Sequence, residues 1–123
     1  MKKPTILVAD RNRNIRAFIC REMTVEGYEC LLSNNAEDVL NKLKEISRID
    51  ILVLDPDIPG ILESELWNRI RIEMPNLPVI IHSLPTIFID QPWISNVAAF
   101  VEKNGNSIDR LKILVFRILK KIP

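Results

Sequence analysis

Residues 51–60 read ILVLDPDIPG, and the prediction of the fold starts from them. Four consecutive Ile, Leu and Val residues are too few for a helix and are typical of a strand buried on both faces of a parallel sheet. The apolar run ends at Asp55, so an acid stands where the strand is expected to leave the sheet.

The rest of the chain alternates between similar apolar runs and helical spacing. Further strands are predicted at residues 5–9, 78–83 and 97–101, with a weaker one at 28–32. Three-four spacing predicts the intervening helices, with Gly27 and Pro75 as stops. Their apolar positions are Ile15, Phe18, Ile19 and Met23; Val39, Leu40, Leu43 and Ile46; Leu62, Leu66, Trp67, Ile70 and Met74; and Ile108, Leu111, Val115, Ile118 and Ile122.

Strand and helix therefore alternate five times, which predicts an α/β fold: a doubly wound, five-stranded parallel sheet flanked by helices. The 123 residues suffice for one domain, which we expect to span residues 1–123. In such sheets the functional residues lie beyond the carboxyl ends of the strands.

Composition narrows the class of protein. Apolar residues make up 47% and charged residues 27% of the chain, and the net charge of +1 does not favour direct nucleic-acid or membrane binding. The arginines at 11, 13, 16 and 21 are interpreted as a solvated helix face. Cys20 and Cys30 lack metal-ligand spacing and are interpreted as buried small hydrophobes in a reducing cytoplasm. The amino-terminal apolar run is too short for a signal peptide, so we expect a cytoplasmic protein.

Four polar residues stand at the ends of apolar runs: Asp10, Asp55, Ser83 and Lys103. Each alone is explained as an ordinary loop residue. Together, at the functional edge of this fold, they predict a pocket with two carboxylates, a hydroxyl and an ammonium.

The segments that carry these residues resemble the receiver domain of two-component response regulators, along essentially the whole chain. They are ILVADRNRNIR (6–16), LVLDPDIPG (52–60), VIIHS (79–83) and FVEK (100–103). The resemblance implies a flavodoxin-like sheet with strand order 2-1-3-4-5. It also implies that a histidine kinase or phosphotransfer protein donates a phosphoryl group to Asp55.

The resemblance further implies a role for each neighbouring residue. Lys103 would pair with the phosphate, and Ser83 would bond a phosphoryl oxygen when the switch turns. Phe100 matches the aromatic residue that swings inward with that hydroxyl. Mg²⁺ would be held by Asp10, Asp55 and the backbone carbonyl of Asp57.

One departure from the family puts that metal in doubt. The family normally has two adjacent acids after the first strand, and here the second position is Arg11. Asp10 and Asp55 against Arg11 and Lys103 sum to zero charge, so Mg²⁺ binding is predicted to be weak or absent. Arg11 either pairs with Asp55 or Asp10 in place of the ion, or points to solvent and leaves a weak metal site.

Two more departures lie nearby. Leu84 follows Ser83 where the family prefers Ala or Gly, which predicts a narrower path to Asp55. Glu63 stands where a Gly usually permits a tight turn, and Gly60 is expected to absorb that geometry.

A partner surface is predicted from apolar residues off the buried stripes. The segment 84–96 should form the helix before the last strand, but Pro92 predicts that it is short or irregular. Its Phe88 and Trp93, with Ile113 and Phe116 of the last helix, predict an interface for a downstream protein, a fused effector or a second copy. The alternative is that they repack under an irregular loop.

Two functions from different classes remain after this reasoning. One is a signalling module switched by phosphorylation of Asp55, and the other is a pseudo-receiver that binds proteins independently of phosphate. A cofactor carrier such as a flavodoxin is disfavoured because residues 10–14, DRNRN, offer no Ser, Thr or Gly to cradle a phosphate. His82 is interpreted as a strand residue, and no nucleophile–base pair points to an enzyme.

Overall fold

The computed structural model describes residues 3–61, 66–84 and 97–120. Within these ranges strands and helices alternate as the apolar pattern predicts, except between the last two strands, where the chain lies outside the described residues. In chain order the elements are β1 (Thr5–Ala9), α1 (Arg13–Val25), β2 (Glu29–Ser33), α2 (Ala36–Glu45), β3 (Ile51–Leu54), α3 (Leu66–Glu73), β4 (Val79–Ser83), β5 (Ala99–Glu102) and α4 (Ser107–Lys120).

The five described strands form one parallel sheet with the order β2-β1-β3-β4-β5. This confirms the predicted fold class and strand order. Because all the strands run the same way, their carboxyl ends meet along one edge of the sheet. The register places the ends of neighbouring strands side by side, with Ala9 opposite Leu54 and Ser83 opposite Glu102.

Each face of the sheet carries its own hydrophobic core, because successive strand side chains point to opposite faces. In β3, Leu52 and Leu54 pack in the cluster that includes α2 and α3, while Ile51 and Val53 pack in the cluster that includes α1 and α4. All four are buried, which confirms the interpretation of ILVL as a strand covered on both sides.

The ends of α1 are set by local chemistry. The side chain of Asn12 accepts hydrogen bonds from the backbone N–H groups of Asn14 and Ile15, which caps the helix two residues after Asp10. At the other end Gly27 adopts a φ of +97°, and its N–H donates to the carbonyl of Thr24. The predicted stop at Gly27 is therefore confirmed.

Some predicted boundaries are shifted. The structure places β5 at Ala99–Glu102 rather than at 97–101, and β2 at Glu29–Ser33 rather than at 28–32. Pairing with the neighbouring strand decides these bounds, as in the register of Ala99 with Ile80. The segment predicted as an irregular helix, with Leu84 as its only described residue, and the side chains of Leu62, Glu63, Phe88, Trp93 and Ile122 lie outside the described residues.

The interpretation of Cys20 and Cys30 as buried small hydrophobes is wrong. Both are only partly buried, and a disulfide joins them, linking α1 to β2. Their Cα atoms are 5.5 Å apart, within the range that a disulfide requires. Sequence spacing gave no sign of this pair, because the contact depends on how α1 packs beside β2.

Among the described residues, none of the helices combines the length and apolar character that a bilayer crossing requires.

Candidate functional site

Two carboxylates are fixed at the carboxyl edge of the sheet by the strands that precede them. The backbone N–H of Asp10 donates to the carbonyl of Ser33 at 3.1 Å, and that of Asp55 donates to the carbonyl of Ala9 at 2.8 Å. These bonds continue the pairing of β1 with β2 and of β3 with β1. Both aspartates are buried as a result.

Lys103 completes the cluster from the end of β5. Its backbone N–H donates to the carbonyl of Ser83 at 2.8 Å, which holds the residue beside the end of β4. Its Nζ lies 3.0 Å from Asp10 Oδ2 and 3.5 Å from Asp55 Oδ2. The structure thus brings together three of the four residues that the sequence placed in one pocket.

Backbone N–H groups also bind the two carboxylates. Asp10 Oδ1 accepts from the N–H of Asn12 at 2.8 Å, and Asp55 Oδ1 accepts from the N–H of Asp57 at 3.0 Å. Burial raises the pKa of Asp10, against the hydrogen bond from Asn12 and the ammonium of Lys103, which both lower it. The cation and the N–H groups are the partners that make a buried carboxylate tolerable in this fold.

Arg11 turns toward the site and does not simply extend into solvent. Its Nε lies 3.6 Å from Asp55 Oδ2, and its Nη2 lies 3.3 Å from Asp57 Oδ2. Pairing with Asp55 or Asp10 is one of the two alternatives predicted from the sequence, and the contact with Asp55 is the one observed. The contact with Asp57 was not predicted. The side chain remains 53% exposed while its guanidinium contacts both carboxylates.

The donor set does not fit a divalent metal ion. Asp10 Oδ2 contacts Lys103, and Asp55 Oδ2 contacts both Lys103 and Arg11 and accepts the Arg11 backbone N–H at 3.3 Å. The Asp57 carboxylate is paired with Arg11. Mg²⁺ prefers oxygen ligands free of competing cations, and here two side-chain cations occupy that face. No group of three or more His, Cys, Asp or Glu side chains suited to a metal occurs in the described ranges.

Sequence reasoning missed Arg16. Its Nη1 donates to the backbone carbonyl of Asp10 at 2.7 Å, and the residue is only half-exposed. The interpretation of all four arginines as a solvated face is therefore wrong for Arg16. The available signal was its position one turn into α1, from which a long side chain reaches back to the loop after β1.

The two predicted switch residues lie on neighbouring strands. Ser83 is buried at the end of β4, and its hydroxyl donates to the carbonyl of Leu84 at 3.1 Å. Phe100 lies in β5 with its side chain half-exposed, and Leu84 is half-exposed as well. Their roles in switching and in access to Asp55 remain predictions.

His82 lies in β4, as the sequence predicted, and its environment is unusual. The residue is only 3% exposed, and within the described part of the chain neither ring nitrogen has a hydrogen-bond partner. Burial, with the nearby ammonium of Lys103, lowers the pKa of His82 to about 4, while Asp55 acts in the opposite direction. The imidazole is therefore neutral near pH 7.

The predicted interface residues of α4 point away from the sheet. Ile113 is 52% and Phe116 is 58% exposed, whereas Leu111 and Val115 on the opposite stripe are buried. The ammonium of Lys120 lies 5.6 Å from the centre of the Phe116 ring. An exposed apolar face on this helix is thus observed, and its partner remains a prediction.

No family model matches the chain. Solved structures that resemble it nevertheless identify a family. The response regulator TrrA of Thermotoga maritima, solved in complex with Mg²⁺-BeF, is 30% identical over 96% of this chain and 99% of that chain, with a TM-score of 0.81. A structure of TrrA with the histidine kinase ThkA gives 31% identity over 97% and 99% of the two chains, with a TM-score of 0.78.

Curated relatives show the same resemblance over a shorter stretch. The transcriptional regulator NtrC of Proteus hauseri is 35% identical over 81 residues, which are 66% of this chain and 17% of NtrC. The chain spans between 11% and 34% of the length of the curated relatives that it matches. Identity of 30% over nearly the full length of TrrA, with the same strand order and an acid at the end of β3, shows that this chain belongs to the response regulator receiver family of two-component signalling systems.

Proposed function

We propose that this chain is a phosphorylation-switched signalling module in which Asp55 accepts a phosphoryl group from a histidine kinase or a phosphotransfer protein. The observation that carries this proposal is the position of Lys103 Nζ, 3.0 Å from Asp10 and 3.5 Å from Asp55 at the edge of the sheet. A carboxylate attacks phosphorus only if charge on the phosphoryl oxygens is offset, and this ammonium supplies that offset.

The transfer itself needs no oxidant or reductant. An Asp55 carboxylate oxygen forms a bond to phosphorus while the phosphorus–nitrogen bond of the donor breaks, and the bonding pair returns to the donor nitrogen. The product is an acyl phosphate beside Lys103. Ser83, at the end of the adjacent strand, can then donate its hydroxyl to an oxygen of the phosphoryl group. Movement of Ser83 together with Phe100 would transmit the conformational change to β5 and α4.

A protein donor needs a docking surface close to Asp55. A cavity of about 460 Å³ opens beside Lys103 between α1 and the start of α4. Its walls are mainly apolar and include Phe18, Ile15 and Ile108. An apolar groove beside Lys103, which contacts Asp55, supports delivery of the phosphoryl group by a protein, and the complex of TrrA with a histidine kinase is consistent with such a donor.

The output is proposed to be a protein contact. Ile113 and Phe116 form an exposed apolar face on α4 that a downstream protein, a fused effector or a second copy of the chain would cover. NtrC and the Streptomyces coelicolor protein AfsQ1, which are regulators much longer than this chain, support an effector partner.

A second candidate function has its own observation. Arg11 lies 3.6 Å from Asp55 and so stands on the side from which a phosphoryl group would approach. If this ion pair is permanent, the chain is a pseudo-receiver that binds partners regardless of phosphate.

The test is a gain of one phosphoryl group on Asp55. Purified chain is incubated with phosphoramidate, with and without Mg²⁺, and its intact mass is measured. We expect a single phosphoryl adduct that is absent in Asp55→Asn and retained in Asp50→Asn, a matched substitution at the opposite edge of the sheet. No adduct under any condition would exclude phosphorylation and leave the pseudo-receiver.

A further inference from the structure

We propose that Arg11 is the built-in cation of this acceptor site, so that Asp55 is phosphorylated without a divalent metal ion. The inference rests on the proposed function, because it names the group that replaces the ion during transfer to Asp55. It concerns Arg11 and Asp57, whose contact the sequence did not predict.

The first step of the argument is the occupancy of the carboxylate oxygens. Asp55 Oδ2 contacts Lys103 Nζ at 3.5 Å and Arg11 Nε at 3.6 Å, and accepts the Arg11 backbone N–H at 3.3 Å. Asp55 Oδ1 accepts the backbone N–H of Asp57 at 3.0 Å. A metal ion at this carboxylate would have to displace a guanidinium that carries its own positive charge into the site.

The second step is the chemistry of the guanidinium. It presents planar N–H donors that match carboxylate and phosphate oxygens. A phosphoryl group on Asp55 Oδ2 would lie between Arg11 on one side and Lys103 on the other. These two side-chain cations then offset the charge on the phosphoryl oxygens, which is the part that a metal ion otherwise supplies.

The third step is the mobility that transfer requires. Arg11 is 53% exposed, and its contact with Asp57 is made at the partly exposed rim of the pocket, where ion pairs are weak. The guanidinium can therefore leave Asp57 and follow the incoming phosphoryl oxygens without unfolding any element. Asp57 acts as a positioning residue, because it holds Arg11 over the pocket when no phosphoryl group is present.

The experiment compares the chain with Arg11→Asp, which places a second acid after Asp10. Phosphoramidate is the donor, intact mass is the readout, and each protein is assayed in EDTA and in Mg²⁺. We expect the unaltered chain to be phosphorylated at similar rates in both, and Arg11→Asp to slow by on the order of 100-fold in EDTA and to recover in Mg²⁺. Arg13→Asp, with the same charge change at an exposed position two residues away, should behave like the unaltered chain.

A second readout does not depend on phosphorylation. Binding of Mn²⁺ is measured by water-proton relaxation, and we expect none for the unaltered chain or for Arg13→Asp, and binding for Arg11→Asp. In Asp57→Asn the phosphorylation rate in EDTA should change while Mn²⁺ binding stays absent, because only the position of Arg11 is altered.

The outcomes separate this inference from the proposed function. The role of Arg11 is overturned if phosphorylation of the unaltered chain requires Mg²⁺, or if that chain binds Mn²⁺. Asp55 then remains the proposed acceptor. Failure to phosphorylate in EDTA and in Mg²⁺ overturns both.

Discussion

Burial of His82 in β4 makes the stability of the folded chain depend on pH. The two ring nitrogens of His82 are buried and have no hydrogen-bond partner among the residues that the structure describes, and its pKa is lowered to about 4 in the folded chain, against 6.5 for the unperturbed group. Between these two values the unfolded chain binds more protons than the folded chain. The contribution of the neutral ring to the free energy of unfolding is therefore fully present above pH 6.5 and is lost as the pH falls toward 4.

This leads to a prediction for His82→Leu. Between about pH 7.5 and about pH 5 the free energy of unfolding of the unaltered chain should fall by about 2 kcal/mol more than that of His82→Leu. Urea unfolding at the two pH values measures the difference. Near neutral pH the substitution should cost little, because it removes two unsatisfied polar atoms together with the ring. Equal pH dependence in both proteins would show that His82 is not held neutral.

Gly60 is a second residue where the backbone decides what is tolerated. It lies in the loop after β3 with a φ of +88°, and an added Cβ would lie 3.2 Å from Leu66 Cδ1 and 3.5 Å from Ala36 Cβ. The backbone N–H of Ala36 donates to the carbonyl of Pro59 at 2.9 Å, so the turn is also tied to the start of α2. The turn has little freedom to relax.

We therefore expect Gly60→Ala to lower the free energy of unfolding by about 1–2 kcal/mol, since an L-residue in this conformation is strained. Gly105→Ala is the matched control: Gly105 has no left-handed φ, and no atom of the described residues lies within 4 Å of an added Cβ, so its effect should stay within about 0.5 kcal/mol. Thermal or urea unfolding compares the two. A loss no larger in Gly60→Ala than in Gly105→Ala would contradict the argument.

At the scale of elements, two kinds of cross-link hold α1 in place. The Cys20–Cys30 disulfide ties its middle to β2, and Lys112 of α4 donates to Glu22 at 2.9 Å near its end. The hydrogen bond from Lys112 lowers the pKa of Glu22, and the same contact raises the pKa of Lys112. Both residues are on the surface, so the disulfide is the stronger restraint.

The disulfide is open to a direct test. In chain purified without reductant, an alkylating reagent should add to neither cysteine until the disulfide is reduced, as intact mass will show. Reduction should then lower the free energy of unfolding by about 2–3 kcal/mol, because a short covalent loop of the unfolded chain is released. In Cys20→Ser and in Cys30→Ser, reductant should have no effect on stability. Immediate alkylation of both thiols in the unaltered chain would contradict the bond.

For the whole molecule, the fold was predictable because the local pattern of apolar residues agrees with the elements that form. Short apolar runs mark buried strands, and the register then brings Asp10, Asp55 and Lys103 to one edge. Strand order came from the family resemblance, since apolar spacing alone does not say which strands are neighbours. The bounds of β5 were missed by one or two residues because pairing with β4, not composition, sets them.

The details of the site were harder to predict, for a physical reason. The contact of Arg11 with Asp57 and that of Arg16 with the carbonyl of Asp10 depend on the direction that a long, flexible side chain takes. The Cys20–Cys30 bond depends on the separation of α1 and β2. Residue spacing gives the reach of Arg16 from the first turn of α1, but it encodes neither the Arg11–Asp57 contact nor the disulfide. It does encode the positions of the acids at the strand ends.

The order of the strands also has a consequence for how this protein is made. β1 lies in the interior of the sheet and supplies Asp10, while the ammonium that neutralises it comes from Lys103, after the last strand. During synthesis on a ribosome the two acids and Arg11 emerge well before Lys103. A chain truncated before residue 103 therefore keeps Arg11 for Asp55 but lacks the ammonium that contacts both acids.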